Sequence, residues 1–148
     1  MSKARLAAEG DYKSVDVLVT SVEEAKRFAE ESGIDAMAVA IGTAHGNYKE
    51  KPQLRIDRLK EIHAAVKTPL VLHGGTGLTE TDFRTCLANG IQKINIATAS
   101  YDASAAKIKE VAAANPQAKY FDFSDAIVQG TYENVKKHMH IFGLEHKA

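Results

Sequence analysis

Two histidines stand in matching positions along the chain, each after a short apolar run and each followed by glycine. His45 comes after the apolar residues 36–41, and His73 comes directly after Leu70–Leu72. Neutral imidazole is a common metal ligand, and zinc–nitrogen bonds of about 2.0–2.1 Å place two ligand nitrogens roughly 3.3 Å apart. The ends of neighbouring strands lie about 4.8 Å apart, so both rings can reach one ion if the two runs are adjacent strands. The pattern predicts a shared metal site, the alternative being two ordinary polar loop residues.

A glycine-rich turn, GGTG at residues 74–77, follows His73. Between a strand and a helix, such a turn lets successive backbone N–H groups converge on an anion, although glycine-rich turns also occur in many α/β proteins that bind none. The alternative interpretation of Thr98 is a plain helix cap, and that of Lys93 is a solvated side chain. The predicted phosphate-binding groups around this turn are Gly46, Gly74, Gly75, Thr76, Gly77, Asn95 and Thr98.

The other histidines are not expected to bind a metal. His138 and His140 are two residues apart on a predicted helix, so they do not share a face and cannot chelate one ion while the helix persists. His63 and His146 have the pattern of surface residues.

The elements that must position these residues alternate between helix and strand. A capping box at Ser21 and Glu24 begins the first helix, and Gly33 follows its end. The apolar residues of that helix form a stripe that includes Phe28. Further helices are predicted around residues 59–66, from the Thr79 cap to residues 89–90, from beyond residue 100 to about 115, and over about 124–142. The predicted strands are residues 36–41, 70–72 and 91–96, the last with alternating apolar and polar side chains.

Helix and strand in alternation, with short connections, predict a parallel sheet with right-handed crossovers. Three strands alone leave two bare sheet edges, and a closed (β/α)₈ barrel typically needs about 250 residues. We therefore expect an α/β fold that is the later part of a larger (β/α)₈ TIM barrel. In this division residues 1–20 are the remnant of a loop, 21–100 are three βα units, and 101–148 are C-terminal helices.

Composition excludes several classes of protein. The 148 residues carry 19 Lys and Arg against 19 Asp and Glu, and no basic run suggests a nucleic-acid partner. Cys86 is the only cysteine, so no disulfide forms within the chain, and we expect a buried thiol without chemistry. The first twenty residues do not resemble a secretory signal, and no apolar run approaches the roughly 20 residues of a membrane span. The expected location is the cytoplasm, with no membrane partner.

Three sequence blocks together resemble the class II, zinc-dependent ketose-bisphosphate aldolases, in the branch that contains fructose- and tagatose-bisphosphate aldolases. The blocks are AVAIGTAHGNY at residues 38–48, PLVLHGGTG at 69–77 and KINIAT at 93–98. The resemblance extends over residues 22–143, which correspond to the later portion of the barrel in that family.

The resemblance implies a role for each matching residue. His45 and His73 would be two of three zinc ligands, and the cofactors would be Zn²⁺ and a monovalent cation. Thr76 stands where this branch often has serine, a change that keeps the hydroxyl. The residues implied to hold the phosphate end of dihydroxyacetone phosphate are Gly46, Gly74, Gly75, Thr76, Asn95, Ile96, Ala97 and Thr98.

The implied activity is that of a lyase of glycolysis and carbohydrate metabolism. It would reversibly cleave a ketose 1,6-bisphosphate to dihydroxyacetone phosphate and glyceraldehyde 3-phosphate, with fructose and tagatose bisphosphate both open as substrates. The Asp-His block that carries the third ligand and the proton-transfer aspartate has no counterpart in these 148 residues. We therefore expect no catalytic residue in this chain, no activity from it alone, and as partner either the remainder of the barrel or another copy in a homo-oligomer.

Two other functions are weighed against the aldolase. One is a non-catalytic half-barrel that binds phosphate or pairs with a second chain. The other is a nucleotide-binding doubly wound domain, which is disfavoured because no complete G-x-G-x-x-G motif opens a helix and the histidines would have no role.

Overall fold

The computed structural model describes residues 19–46 and 52–144. Its helices and strands alternate as the sequence predicts. In chain order they are α1 (Val22–Ser32), β1 (Met37–Ala38), α2 (Ile56–Ala65), β2 (Leu70–Leu72), α3 (Glu80–Ala88), β3 (Ile91–Ile94), α4 (Thr98–Ala114) and α5 (Tyr120–Ile141). The chain divides into two compact units, Met1–Ile96 and Ala97–Ala148. Most of the predicted loop remnant at residues 1–20, and His146, lie outside the described residues.

The three strands of the first unit form one parallel sheet in the order β1-β2-β3. Met37 of β1 lies opposite Leu70 of β2, and Leu70 in turn lies opposite Ile91 of β3. All three residues of β2 are buried, as expected for the central strand of a parallel sheet covered on both faces. The predicted parallel arrangement is confirmed, and it places the carboxyl ends of β1 and β2 side by side.

A bulge interrupts the pairing of β2 with β3. Leu70 pairs with Ile91 but Val71 pairs with Lys93, so Gln92 is an extra residue on β3. Gln92 and Lys93 are consequently both exposed. The predicted alternation holds beyond the bulge, where Lys93 and Asn95 are exposed and Ile94 and Ile96 are half-buried. The backbone N–H of Asn95 donates to the carbonyl of Leu72 at 3.0 Å, which keeps the chain aligned beyond the end of β3.

Strand β1 is shorter than the predicted run of residues 36–41. The N–H of Val39 still donates to β2, at 3.2 Å. Beyond it, Ala40 exchanges hydrogen bonds with Thr20, through the Thr20 N–H and the Thr20 hydroxyl, both at 2.9 Å. The carbonyl of Ile41 accepts from the N–H of Arg55 at 2.9 Å. The run therefore stays extended but takes its later hydrogen bonds from loops instead of from a strand.

The caps predicted for two helices are confirmed. The Ser21 hydroxyl accepts from the N–H of Glu24 at 3.1 Å, and the Glu24 carboxylate accepts from the N–H of Ser21 at 3.2 Å. Thr79 and Asp82 form the same reciprocal pair at the start of α3. Gly33 ends α1 in the left-handed conformation, with φ of 61°.

Helices α4 and α5 begin earlier than predicted. Helix α4 starts at Thr98, before the expected boundary at residue 100. Helix α5 starts at Tyr120 and not at about Ser124, because the N–H of Lys119 donates to the Asp122 carboxylate at 2.7 Å and so satisfies a backbone donor at the helix start. Sequence periodicity alone missed this first turn, since Tyr120 is exposed.

The core of the first unit lies between the sheet and helices α2 and α3. The largest fully buried side chains are Phe83, Ile41, Leu59, Ile62, Leu70, Leu72 and Cys86. Phe28 is an exception to the predicted apolar stripe of α1, because its side chain is 54% exposed. Burial of Cys86 agrees with the expectation of a core thiol, and it raises the pKa of that thiol to about 11.

The second unit is a pair of packed helices, α4 and α5. They approach closely at Gly130, where an added Cβ would lie 2.6 Å from the Ala103 carbonyl oxygen. The nearby Ser104 hydroxyl donates to the carbonyl of Ile127 at 3.0 Å. In the part of the chain that the structure describes, no helix is both long enough and apolar enough to cross a membrane.

Candidate functional site

The structure brings His45 and His73 together at the carboxyl ends of two neighbouring strands. His73 directly follows β2, and His45 lies in the loop after β1. The ring centroids are 5.5 Å apart and the ring planes cross at 84°. His45 is exposed and His73 is half-buried, so the pair is open to a ligand from one side. Two imidazoles at this separation can each offer a nitrogen to one ion, and the donor set fits two positions of a tetrahedral zinc site.

The two histidine loops are joined by a side-chain hydrogen bond and by a close approach of their backbones. The Thr43 hydroxyl donates to the carbonyl of His73 at 2.8 Å. Gly74 has φ of 69°, and a Cβ at this residue would lie 2.3 Å from the Ala44 carbonyl oxygen. Only glycine allows that approach together with that φ. Thr43 was not among the predicted site residues, although its place in the same loop as His45 was the available signal.

Two side chains from the end of β3 extend the cluster. The Asn95 amide nitrogen lies 3.1 Å from Nε2 of His73. The Lys93 ammonium donates to the Asn95 side-chain oxygen. Asn95 was predicted as a phosphate-binding residue, and the structure places it against a candidate metal ligand. The sequence pattern favoured a solvated side chain for Lys93, and its position two residues before Asn95 was the signal for this contact.

The surroundings of His73 favour its neutral form. Partial burial lowers the pKa of the imidazole from its ordinary value of 6.5, and the charges of His45 and Lys93 lower it further. A histidine must be neutral to ligate a metal. The environment of His73 therefore suits the predicted role, which stays a prediction.

The glycine turn after His73 is compact and leads into α3. Gly74, Gly75 and Thr76 are buried. An added Cβ at Gly75 would lie 3.0 Å from the ring of Phe83, so the turn packs directly on α3. The turn therefore lies against the first turns of α3, and binding of an anion by its backbone stays a prediction.

The remaining predicted phosphate-binding residues lie in different parts of the fold. Gly46 belongs to the His45 loop and has φ of 89°. Ile96 ends the first unit. In the second unit, Ala97 is the N-cap of α4 and Thr98 is its first residue, so Thr98 is not itself the cap. Binding of phosphate by these residues stays a prediction.

No other metal centre is apparent among residues 19–46 and 52–144, where no group of three or more His, Cys, Asp or Glu side chains could hold an ion. His63 is exposed, as expected. His138 and His140 both lie on α5, where Nδ1 of His138 is 2.8 Å from the Asn134 carbonyl oxygen. The described residues thus supply two clustered imidazoles and no third ligand.

Comparison with known proteins identifies the family. The profile described as class-II fructose-bisphosphate aldolase matches residues 4–147. A sulfofructosephosphate aldolase from Alkalicoccus urumqiensis is 38% identical over 134 residues, which are 90% of this chain and 47% of that protein. The chain therefore spans about half the length of this curated relative.

Solved structures agree in fold. The crystal structure of the YdjI aldolase from Escherichia coli K12 matches with a TM-score of 0.79 and 35% identity, over 88% of this chain and 48% of that one. A fructose-bisphosphate aldolase from Campylobacter jejuni matches with a TM-score of 0.68 and 24% identity, over 90% and 49% of the two chains. These likenesses confirm the predicted fold class, part of a (β/α)₈ barrel. With the profile match over nearly all of its residues, the chain belongs to the class II fructose-bisphosphate aldolase family.

Proposed function

We propose that this chain is the metal- and phosphate-binding part of a zinc-dependent aldolase. The complete enzyme would reversibly cleave a ketose 1,6-bisphosphate to dihydroxyacetone phosphate and glyceraldehyde 3-phosphate. The observation that carries the proposal is the pair of imidazoles, His45 and His73, with ring centroids 5.5 Å apart at the ends of adjacent parallel strands. Barrel enzymes keep their active sites at this end of the strands.

Each part of the site has a distinct role in this proposal. His45 and His73 would hold zinc, which supplies Lewis-acid stabilisation of the negative charge that develops on the substrate oxygen during cleavage. Thr43 fixes the His73 backbone, and so limits the movement of one ligand relative to the other. The turn formed by Gly74, Gly75 and Thr76 would orient the substrate by its phosphate, which keeps the reacting carbons at a fixed distance from the histidines.

We propose that the third zinc ligand and the proton-transfer group come from outside this chain. The described residues hold no third clustered ligand, and the aldolases that the chain matches are about twice its length. The 148-residue chain by itself is therefore expected to release no dihydroxyacetone phosphate from fructose 1,6-bisphosphate. Cleavage by the purified chain at an ordinary enzymatic rate would show that its own residues complete the site.

Thermal unfolding of the chain with zinc and with inorganic phosphate separates this proposal from a non-catalytic phosphate-binding half-barrel. If the chain is part of an aldolase, zinc should raise its melting temperature near neutral pH. The rise should disappear in acid, because protonated imidazoles do not bind zinc. His63→Ala is the matched control, since His63 is exposed and lies outside the pair. Stabilisation by phosphate without any effect of zinc would favour the half-barrel.

A second candidate substrate follows from the relative in Alkalicoccus urumqiensis, which is named a sulfofructosephosphate aldolase. A sulfonated sugar phosphate is therefore a candidate beside the ketose bisphosphates. The complete enzyme that contains this chain should be assayed with fructose 1,6-bisphosphate, tagatose 1,6-bisphosphate and sulfofructose phosphate. The largest kcat/KM identifies the substrate, and a sulfonated sugar in that place would replace the bisphosphate in our proposal.

A further inference from the structure

Three side chains at the ends of β2 and β3 form a continuous line of hydrogen bonds. The Lys93 ammonium contacts the side-chain oxygen of Asn95, and the amide nitrogen of Asn95 lies 3.1 Å from Nε2 of His73. All three residues belong to the first unit. Neither the predicted metal binding nor the predicted phosphate binding accounts for Lys93.

The chemistry of the groups fixes the direction of each bond. A lysine ammonium has donors and no acceptor, so the Asn95 oxygen must face Lys93 and the Asn95 NH₂ must face His73. That NH₂ is a donor, so Nε2 of His73 has to accept. A neutral imidazole carries one proton, which is then on Nδ1.

We propose that Lys93 is a positioning residue that acts through Asn95. By fixing the orientation of the Asn95 amide, it holds His73 in the tautomer that is protonated on Nδ1 and unprotonated on Nε2. A neutral imidazole ligates a metal through its unprotonated nitrogen, so a metal at Nε2 would take the place of the Asn95 N–H. This link to the metal rests on the proposed function, whereas the hydrogen-bond line itself does not.

Removal of Lys93 is expected to free the amide while leaving the backbone in place. Without the ammonium, the Asn95 amide can turn over and present its oxygen to His73, which favours a proton on Nε2 instead. The backbone stays anchored because the Asn95 N–H donates to the Leu72 carbonyl at 3.0 Å and Thr43 holds the His73 carbonyl at 2.8 Å. Lys93 is exposed, so a substitution there does not open the core.

The test is the tautomer of His73 in the ¹⁵N-labelled, metal-free chain, measured from the imidazole nitrogen shifts by long-range ¹H–¹⁵N correlation near neutral pH. Nδ1–H should predominate in the wild type and in the matched control Lys93→Arg, which keeps the donors. Lys93→Met should move the tautomer ratio toward Nε2–H by about two- to tenfold, the range that corresponds to the net free energy of one hydrogen bond. Lys93→Ala, which should behave like Lys93→Met, serves as a second variant if the first does not fold.

A double-mutant cycle with Asn95→Ala tests whether the effect of Lys93 on His73 passes through the Asn95 amide. In that background, Lys93→Met should change the tautomer ratio much less, because only the direct effect of the Lys93 charge on His73 is left to remove. The proposal is overturned by a wild type protonated mainly on Nε2, by an unchanged ratio in Lys93→Met, or by an equal effect of Lys93→Met with and without Asn95. No zinc or substrate enters the measurement, so a failure of the proposed aldolase function would be seen separately.

Discussion

His73 is held both at its backbone and at its ring. Its backbone carbonyl accepts from the Thr43 hydroxyl at 2.8 Å, and its Nε2 is 3.1 Å from the Asn95 amide nitrogen. Burial and the charges of His45 and Lys93 lower its pKa. These contacts orient the ring and its surroundings favour the neutral form, and both properties suit a metal ligand.

The lowered pKa of His73 predicts a pH dependence of stability. Below its ordinary pKa of 6.5 the unfolded chain takes up a proton that the folded chain resists. This contribution to the free energy of unfolding is therefore fully present above about pH 6.5 and is lost as the pH falls through the lower, folded pKa. Urea unfolding between neutral and acid pH should show a steeper loss for the wild type than for His73→Gln.

His63→Gln is the control for this titration. His63 is also a histidine of the first unit, but it is exposed and lies outside the pair, so its replacement leaves the contacts of His73 in place. An equal loss of stability in His73→Gln and the wild type would contradict the account.

The Thr43 hydroxyl predicts a loss of stability on substitution. Thr43→Val keeps the shape of the side chain but leaves the His73 carbonyl without this donor, so the free energy of unfolding should fall by about 1 kcal/mol. Thr43→Ser retains the hydroxyl and should lose less. Urea titration of the three proteins measures the difference, and equal stability of the valine and serine variants would argue against a role for this bond.

At the scale of elements, the site depends on how closely the loops after β1 and β2 approach. A Cβ at Gly74 would lie 2.3 Å from the Ala44 carbonyl oxygen, so Gly74→Ala must push the loops apart as well as strain a left-handed backbone. Gly33→Ala introduces the strain alone, because φ is 61° and nothing lies within 4 Å of the added Cβ.

We expect the wild type to be the most stable, Gly33→Ala to be less stable, and Gly74→Ala to be the least stable. Strain of a left-handed residue costs on the order of 1–3 kcal/mol, and Gly74→Ala should lose about 2 kcal/mol more than that control because backbone atoms must move. Denaturant unfolding measures both losses. Equal losses would mean that the loops separate easily and do not fix the distance between the histidines.

Sequence patterns predicted these elements correctly where a single local rule determines the structure. The apolar run of β2 and the capping residues Ser21 and Thr79 each determine structure locally, and all three appear as expected. The bulge at Gln92 was not predictable, because it depends on the pairing of β3 with β2 and has no signature within β3 itself. The first turn of α5 was missed because its Tyr120 is exposed and breaks the apolar period.

The same distinction applies to the candidate site. Matching contexts after two strands predicted that His45 and His73 would meet, and they do. The Thr43 contact joins residues 30 positions apart, and the hydrogen bonds that connect Lys93 to His73 pass through Asn95. Both contacts to His73 therefore form only when the strands are assembled, and the sequence signals only that Thr43 lies near His45 and Lys93 near Asn95.

At the scale of the whole molecule, the chain has the fold of about half an aldolase and places two imidazoles where barrel enzymes keep their active sites. Its histidine pair and the turn proposed to bind phosphate both follow strands of the same three-stranded sheet. A complete active site would then need the remaining ligand and proton-transfer group to be supplied at the same end of the barrel.

The most direct test of this account is calorimetric titration of the metal-free chain with zinc, on the wild type, His45→Ala, His73→Ala and the control His63→Ala. We predict that the wild type and His63→Ala bind one zinc ion with equal affinity, and that each of the other variants binds at least about tenfold more weakly, a loss of about 1.4 kcal/mol or more. Zinc binding that is the same in all four proteins, or absent from the wild type, would contradict the claim that His45 and His73 form a metal site.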